Sequence, residues 1–394
     1  MAYINFKEEK SAINNQLRKR EKNNEKLRIE ILNNKSKISL IGEEQYSYKT
    51  IYNITINNNK KEPEDQFIII SDQNYIGSKF INCKFYNIKF VNCNFIGCEF
   101  IKCDFGGGGV IFECCNFLQE AINKTPSLNK KDNFSCKFKY TKLYCKFIST
   151  TLSYCIIDEC DINECFFSVS EIISIIIARS QMKKVEFQDV DLSGAKFIDN
   201  YIEDLEFSDK VKSKLDTKTF FDKINPIKKT KEEYEGIYKV YEEIANVFSE
   251  NMLKNNFGEY YYLAQNSKRK SLNGVTRIKS YIAWFVFGYG ERIVFPIITS
   301  AIIILVFSIL YLIVGIDVEG EIVSIIFQKY PKNFMELGSA FNESLNLSVG
   351  MFAGVGINKS MPLTSSYFLS DMEMIIGIIM MGIGIGSITR KIIR

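Results

Sequence analysis

Large apolar residues recur every five positions through the first half of the chain, a spacing that fits neither a helix nor a simple strand. Phe80, Phe85, Phe90, Phe95, Phe100 and Phe105 form the first run. The residues two places before them are Ser78, Cys83, Ile88, Cys93, Cys98 and Cys103, all but one of them small. An interruption holds Gly106 to Gly109 and a polar stretch near Asn123 to Asn133, and from Phe147 the pattern runs unbroken to Phe207, thirteen repeats in succession. There the small positions include Cys145, Cys155, Cys160, Cys165, Ser170, Ser180 and Ala195. A large residue alternating with a small one at fixed period is what a stacked solenoid needs, one side chain pointing to the axis and the other filling the gap beside it.

Elsewhere the period changes. Tyr234, Ile237, Tyr238, Tyr241, Ile244, Ala245 and Phe248 are spaced by three and four, which predicts a helix within 228–266, and a second is expected over Phe257 to Lys270. Near the start, Ile13, Leu17, Leu27 and Ile31 fit a heptad track that also demands Arg20 and Asn24, so a short coiled coil competes with a solvated or frayed helix. In the last third, Ile293 to Ile316 is 24 residues without a formal charge. At a rise of about 1.5 Å per residue this is long enough to cross a hydrocarbon core of about 30 Å. Met374 to Ile388 is shorter, but Tyr367, Phe368 and Leu369 precede it and Ile392 and Ile393 follow, so it spans with tilt and end-anchoring. Between the two lies the glycine-rich stretch Gly350 to Gly356.

The five-residue pattern resembles the pentapeptide-repeat family, which implies a right-handed, four-sided β-helix with four repeats per coil and coils stacked at about the 4.8 Å strand spacing. The expected organisation is an N-terminal helical and polar segment over 1–66, a pentapeptide-repeat β-helix over 67–208, a helical linker and interfacial segment over 209–292, and a two-span pore domain over 293–394. The fold class is therefore a membrane protein: a cytoplasmic quadrilateral β-helix, a helical linker and an α-helical pair of spans with a re-entrant pore loop.

Charge narrows the function. The chain has 50 basic and 46 acidic residues, a balance that argues against a nucleic-acid partner held by bulk charge. It has no histidine, the usual general base and commonest metal ligand. No catalytic constellation is visible, and no enzyme activity or cofactor is expected. All eleven cysteines lie between Cys83 and Cys165 on the side expected to be cytoplasmic, so they read as reduced, metal-free, small buried hydrophobes. From 79 to 146 there are 11 basic and 5 acidic residues, and from 148 to 207 there are 4 and 12, which predicts a basic and an acidic end to the solenoid. Some pentapeptide-repeat proteins are acidic rods that mimic DNA, and the near-neutral balance here speaks against that role.

Arg277, Lys279 and Arg292 precede the first span, and Arg390, Lys391 and Arg394 follow the second. The stretch 317–373 holds three Lys and seven Asp or Glu. Both termini are thus expected on the cytoplasmic side of the cell membrane, as in a bacterial inner membrane protein. Met1 to Lys37 is charged and Asn-rich without an apolar core, so no signal peptide is expected there.

The order of span, glycine-rich loop and span, together with Phe257-Gly-Glu-Tyr-Tyr-Tyr-Leu-Ala264 and the interfacial Gly288-Tyr-Gly-Glu-Arg292 after Trp284, Phe285 and Phe287, resembles the bacterial pentapeptide-repeat ion channels with a potassium-channel-like pore. The resemblance implies a homotetramer in membrane lipid. Its pore helix would be Phe341 to Met351, with Ser344, Ser348 and Met351, and its filter Phe352, Ala353, Gly354, Val355 and Gly356. These five lie where potassium channels have Thr-Val-Gly-Tyr-Gly. Phe352 stands in place of the threonine, Val355 of the tyrosine and Ile357 of the following aspartate, which removes hydroxyl ligands and bracing groups. The permeant ions are thus expected to be monovalent cations, potassium and also sodium. Gly377, Gly382, Gly384 and Gly386 on the second span serve either close helix packing or bending at a gate, and Glu373 is a candidate for a place behind the filter. The rival reading is a membrane-anchored scaffold whose solenoid binds a protein and which conducts nothing.

Overall fold

The computed structural model describes residues 4–33, 47–118, 135–325, 334–355 and 359–393. Two compact units divide the chain, Met1–Ser271 and Leu272–Arg394.

The first unit is a four-sided β-solenoid. On one side, eight short parallel strands lie in register, so that Phe80, Phe100, Phe138, Ile157, Ile177, Phe197 and Phe221 form one inward column. A second column runs Phe90, Phe112, Phe147, Phe167, Phe187 and Phe207. In-register rings on adjacent strands stack: Phe147 and Phe167 lie 4.9 Å apart at 9°, and Phe112 and Phe147 5.2 Å apart at 7°. Apart from Phe207 the rings are almost fully buried, and offset stacking adds to the burial.

The solenoid exceeds the expected 67–208 at both ends, since its strands begin at Thr50–Tyr52 and end at Phe220–Phe221. Gly106 to Gly109 do not interrupt it. They sit in a strand, Asp104–Glu113, whose register shifts between Phe105 and Val110, and Phe112 takes the column of Phe90. The columns resume at Phe117, Phe138 and Leu143, ahead of Phe147. Charges pair from coil to coil, as in Lys79–Glu99 at 2.8 Å and Lys214–Asp191 at 2.9 Å.

The small positions do more than fill space. The Cys136 thiol donates to the Phe95 carbonyl at 2.8 Å and accepts from the Cys98 amide at 3.3 Å. Ser170 does the same with the Phe147 carbonyl and the Thr150 amide, at 3.2 and 3.1 Å, and Asn200 with the Ile177 carbonyl and Ser180 amide, both at 2.8 Å. Each such residue satisfies backbone groups in the adjoining coil, which is why Cys, Ser, Thr and Asn interchange there. Ten of the eleven cysteines are buried; Cys114, at a corner, is exposed. Burial pushes the thiols of Cys155, Cys160 and Cys165 up to about 12, so at neutral pH they hold their protons and react slowly.

Corner after corner places a residue in the left-handed region, among them Asn82, Asn87, Asn92, Glu159, Glu164 and Val169, with φ between 49° and 56°. Asn tolerates this conformation and Val does not.

The N-terminal helix α1, Phe6–Asn33, is neither a coiled coil nor frayed. Ile13 and Leu17 pack on the outward residues Ile156, Ile176, Ala178, Ile198 and Phe220 of the eight-stranded side. The polar positions of its heptad track are docking groups: Arg20 Nη1 donates to the carbonyls of Tyr154 and Ser174 at 3.0 and 2.8 Å, and Asn24 donates to that of Ser135 at 3.2 Å. Glu21–Lys137 and Lys10–Asp199 pairs fasten its edges.

Helices α2, Lys231–Glu250, and α3, Lys254–Ser271, belong to this unit and not to a separate linker. Thr230 caps α2 by accepting from the Glu233 amide. On α3, the buried Tyr260 hydroxyl accepts from the Phe221 amide at 2.8 Å and donates to the Phe221 carbonyl at 3.0 Å. One side chain thereby takes the place of the next coil at the last strand. Much of the motif Phe257 to Ala264 is accounted for by this cap, with Tyr260 and Ala264 both in the core.

The second unit holds α4, Gly274–Phe287, α5, Val294–Val314, α6, Phe334–Ala353, and α7, Tyr367–Ile393. Two of its helices, Val294–Val314 and Thr364–Thr389, are long and apolar enough to cross a membrane. A small antiparallel sheet of Ile316–Val318, Glu321–Val323 and Ser360–Pro362 joins the end of α5 to the segment before α7.

Four outcomes check this account. Phe167→Ala should destabilise the full chain by about 3–5 kcal/mol, as for other ring deletions in cores, whereas Val169→Asn should stabilise it by about 1 kcal/mol by relieving the left-handed corner; both are read from chemical denaturation. Tyr260→Phe should cost about 1–3 kcal/mol, because the Phe221 amide and carbonyl lose their partner. A thiol reagent should label Cys114 rapidly in the folded protein and the other ten cysteines only after unfolding.

Candidate functional site

Helix α6 lies between the two span-length helices. Ala340, Ser344, Leu347, Ser348 and Phe352 are buried along one stripe of it, at helical spacing. Leu347 packs with Tyr311 and Ile316, and Met351 borders the same cluster. The Ser344 hydroxyl donates to the Ala340 carbonyl of its own helix at 3.0 Å. Ser348 reaches outward, to the Ile304 carbonyl of α5 at 2.9 Å and to Glu373 of α7. Of the expected pore-helix residues, Ser344 and Ser348 are thus fully buried, and Ser348 bridges both neighbouring helices.

The helix runs further than expected. Phe352 and Ala353 lie in its last turn, so two of the five residues expected in an extended filter are helical. Gly354 ends it with φ of 68°: its amide donates to the Met351 carbonyl and the Val355 amide to that of Gly350, both at 3.1 Å. This paired arrangement is the Schellman motif, which needs a residue with positive φ at the position Gly354 occupies. Val355 follows, 64% exposed, and Gly356 and Ile357 lie outside the described residues. Phe352 is buried, consistent with a packing role and not with a ligand in the place of a threonine hydroxyl.

The four glycines of α7 separate into two kinds. At Gly377 a Cβ would stand 2.1 Å from the Phe352 carbonyl oxygen, so this position lets α7 touch the end of α6. Gly382, Gly384 and Gly386 have open space around them within the chain. Glu373, one turn before Gly377, is fully buried and accepts from the Ser348 hydroxyl. Sequence reasoning placed it among the candidates; the position of Tyr311 beside it is new, and only the fold brings the two together. Among the described residues no group of three or more His, Cys, Asp or Glu side chains is placed to hold a metal ion.

Residues 76–107 match the family described as pentapeptide repeats (8 copies). No curated protein matches the chain. Among solved structures the chain is similar to QnrB1, a plasmid-mediated fluoroquinolone resistance protein, at 14% identity over 41% of this chain and 92% of that one, with a TM-score of 0.14. It is also similar to HetL, a pentapeptide repeat protein involved in heterocyst differentiation regulation from the cyanobacterium Nostoc sp. strain PCC 7120, at 8% identity over 45% and 92% of the two chains, TM-score 0.17. A third is the pentapeptide repeat protein Rfr23 from the cyanobacterium Cyanothece 51142, at 13% identity over 34% and 91%, TM-score 0.13. At such TM-scores the solenoid assignment rests on the strand register of this chain itself.

Gly377→Ala should destabilise the protein in detergent by about 1–3 kcal/mol, the usual cost of overpacking, because the neighbour that must give is backbone. Gly382→Ala should leave the melting midpoint unchanged or raise it.

Proposed function

We propose that this chain is the pore-forming subunit of a tetrameric cation channel, with the solenoid unit as its cytoplasmic module. The observation that supports this most is the place of α6, a helix held between two span-length helices and ended by Gly354, so that non-helical backbone begins between the spans. Such backbone is tolerated at membrane depth only where protein buries it or an aqueous cavity faces it. One segment of this kind per chain surrounds an ion only when copies meet about an axis, and four is the number that carbonyl-lined filters use. Exposed Ile297, Ile302, Leu305 and Ile309 on α5, and Ile375, Ile378 and Ile379 on α7, supply an apolar surface for lipid.

The C-terminal carbonyl end of α6 carries partial negative charge and favours a cation near Val355. Discrimination between potassium and sodium is weak in this reading, because Phe352, Val355 and Ile357 offer neither hydroxyl ligands nor bracing side chains. The basic residues flanking the spans put both termini on the cytoplasmic side of the cell membrane. A membrane-anchored scaffold is the second reading, favoured by the pentapeptide-repeat match at residues 76–107. A scaffold, however, has no use for a helix buried along one stripe and ending in an exposed apolar turn between two spans.

Mass measurement in gentle detergent should give a tetramer, and purified protein in liposomes should pass both potassium and sodium. Gly354→Val, assembled normally, should block flux. A monomer or dimer, or closed liposomes with the tetramer inserted, would leave the scaffold; strong potassium preference in the unmutated protein would overturn the selectivity argument.

A further inference from the structure

We propose that Glu373 carries a proton, and that this neutral carboxyl group is the fastener that holds α6 to both spans. The proposal rests on the pore reading only for its effect on conduction. The argument is a count of hydrogens. Ser348 Oγ is within hydrogen-bond reach of two acceptor oxygens, the Ile304 carbonyl at 2.9 Å and Glu373 Oε1, yet a hydroxyl has one proton to give. A carbonyl only accepts. If Ser348 donates to Ile304, the contact with Glu373 needs a proton from Glu373.

The ionised alternative is weaker on two points. It leaves the Ser348 and Ile304 oxygens facing each other without a hydrogen between them, the Ile304 carbonyl then being served by the Ser308 hydroxyl at 2.7 Å. It also buries a carboxylate completely with no basic partner among the described residues, and burial of an unpaired charge is costly in any apolar surrounding. The groups that face Glu373 are Ser348 from α6 and Tyr311 from α5, and Asp371, exposed on α7, adds only further negative charge near Tyr311. The buried Tyr311 hydroxyl and Glu373 Oε2 each lack a hydrogen-bond partner of good geometry. Oε2 is the acceptor for Tyr311 in either state, and the neutral form adds a hydroxyl that donates to Ser348. The chain then reads Tyr311 to Glu373 to Ser348 to the Ile304 carbonyl, starting and ending on α5 and crossing α7 and α6. Glu373 is a positioning residue in this scheme, one turn from the contact of Gly377 with Phe352.

Infrared spectra of the purified full-length protein at neutral pH test it directly. The unmutated protein should show the carbonyl stretch of a protonated carboxyl group, Glu373→Gln should lose it, and Ser348→Ala should shift it. A spectrum in that region unchanged by Glu373→Gln would overturn the proposal. In liposomes, Glu373→Gln, whose amide both donates and accepts, should keep the flux of the unmutated protein, whereas Glu373→Leu should lose it with the assembly retained. Loss in Gln equal to that in Leu would also overturn it. If the unmutated protein passes no ions, the pore reading fails and the infrared result still decides the proton.

Discussion

The first unit depends on the fixed separation of parallel strands. Neighbouring strands stand about 4.8 Å apart, and any ring carried in register from one coil to the next must stack at about that distance. The Phe columns obey this, with centroid separations such as 4.9 Å for Phe80's neighbour pair Phe100–Phe138 and 5.1 Å for Phe167–Phe187. A solenoid built this way buries its core by repetition, but it cannot close its own last edge, where a strand's amides and carbonyls meet no further coil. Tyr260 supplies the missing partners at Phe221 with one hydroxyl, and its ring stacks on Phe248 at 5.1 Å, so the cap continues the aromatic packing instead of ending it.

This arrangement explains what could be read from the chain alone. The period of five was legible because every coil repeats the same demand, and the columns of large residues follow from it. The docking of α1 was not, because it depends on carbonyls of Tyr154, Ser174 and Ser135 that lie far along the chain from Arg20 and Asn24. In isolation those two polar residues look like flaws in a heptad track. The signal that was available lay in the repeats: Ile156 and Ile176 put an apolar residue outward where other coils put Lys79, Glu99, Lys137 or Lys196, and an apolar stripe on the outside of a solenoid asks for a cover. The hydrogen-bonding task of the small positions was hidden for a different reason. Cysteine is both a small hydrophobe and a weak donor, and only the neighbouring coil shows which property is used.

In the second unit, glycines had to be sorted by surroundings and not by number. Gly354 and Gly377 have opposite reasons to lack a side chain, the first for a positive φ at a helix end and the second for a backbone oxygen 2.1 Å from where a Cβ would stand. Gly382, Gly384 and Gly386 show neither reason within the chain. Phe352 belongs with Gly377: its backbone carbonyl is the oxygen over which α7 closes, and its ring is buried.

Among the polar residues buried in this apolar unit, those satisfied within their own helix differ from those that need another element, as Thr299 needs the Phe285 carbonyl, and the difference says which of them determine packing. Ser308, Ser366 and Ser370 donate to carbonyls three or four residues back, at 2.7, 2.9 and 2.8 Å, as Ser344 also does. Such bonds form in any helix and ask nothing of a neighbour. Glu373 and Tyr311 have no local solution of that kind. Their oxygens can be satisfied only if α5, α6 and α7 come together with Ser348 between them, and a wrong packing of these helices would strand a carboxyl group in an apolar medium. The apolar surface of the helices is indifferent to register; these few groups are not, and they select the packing in which α6 stops at Gly354.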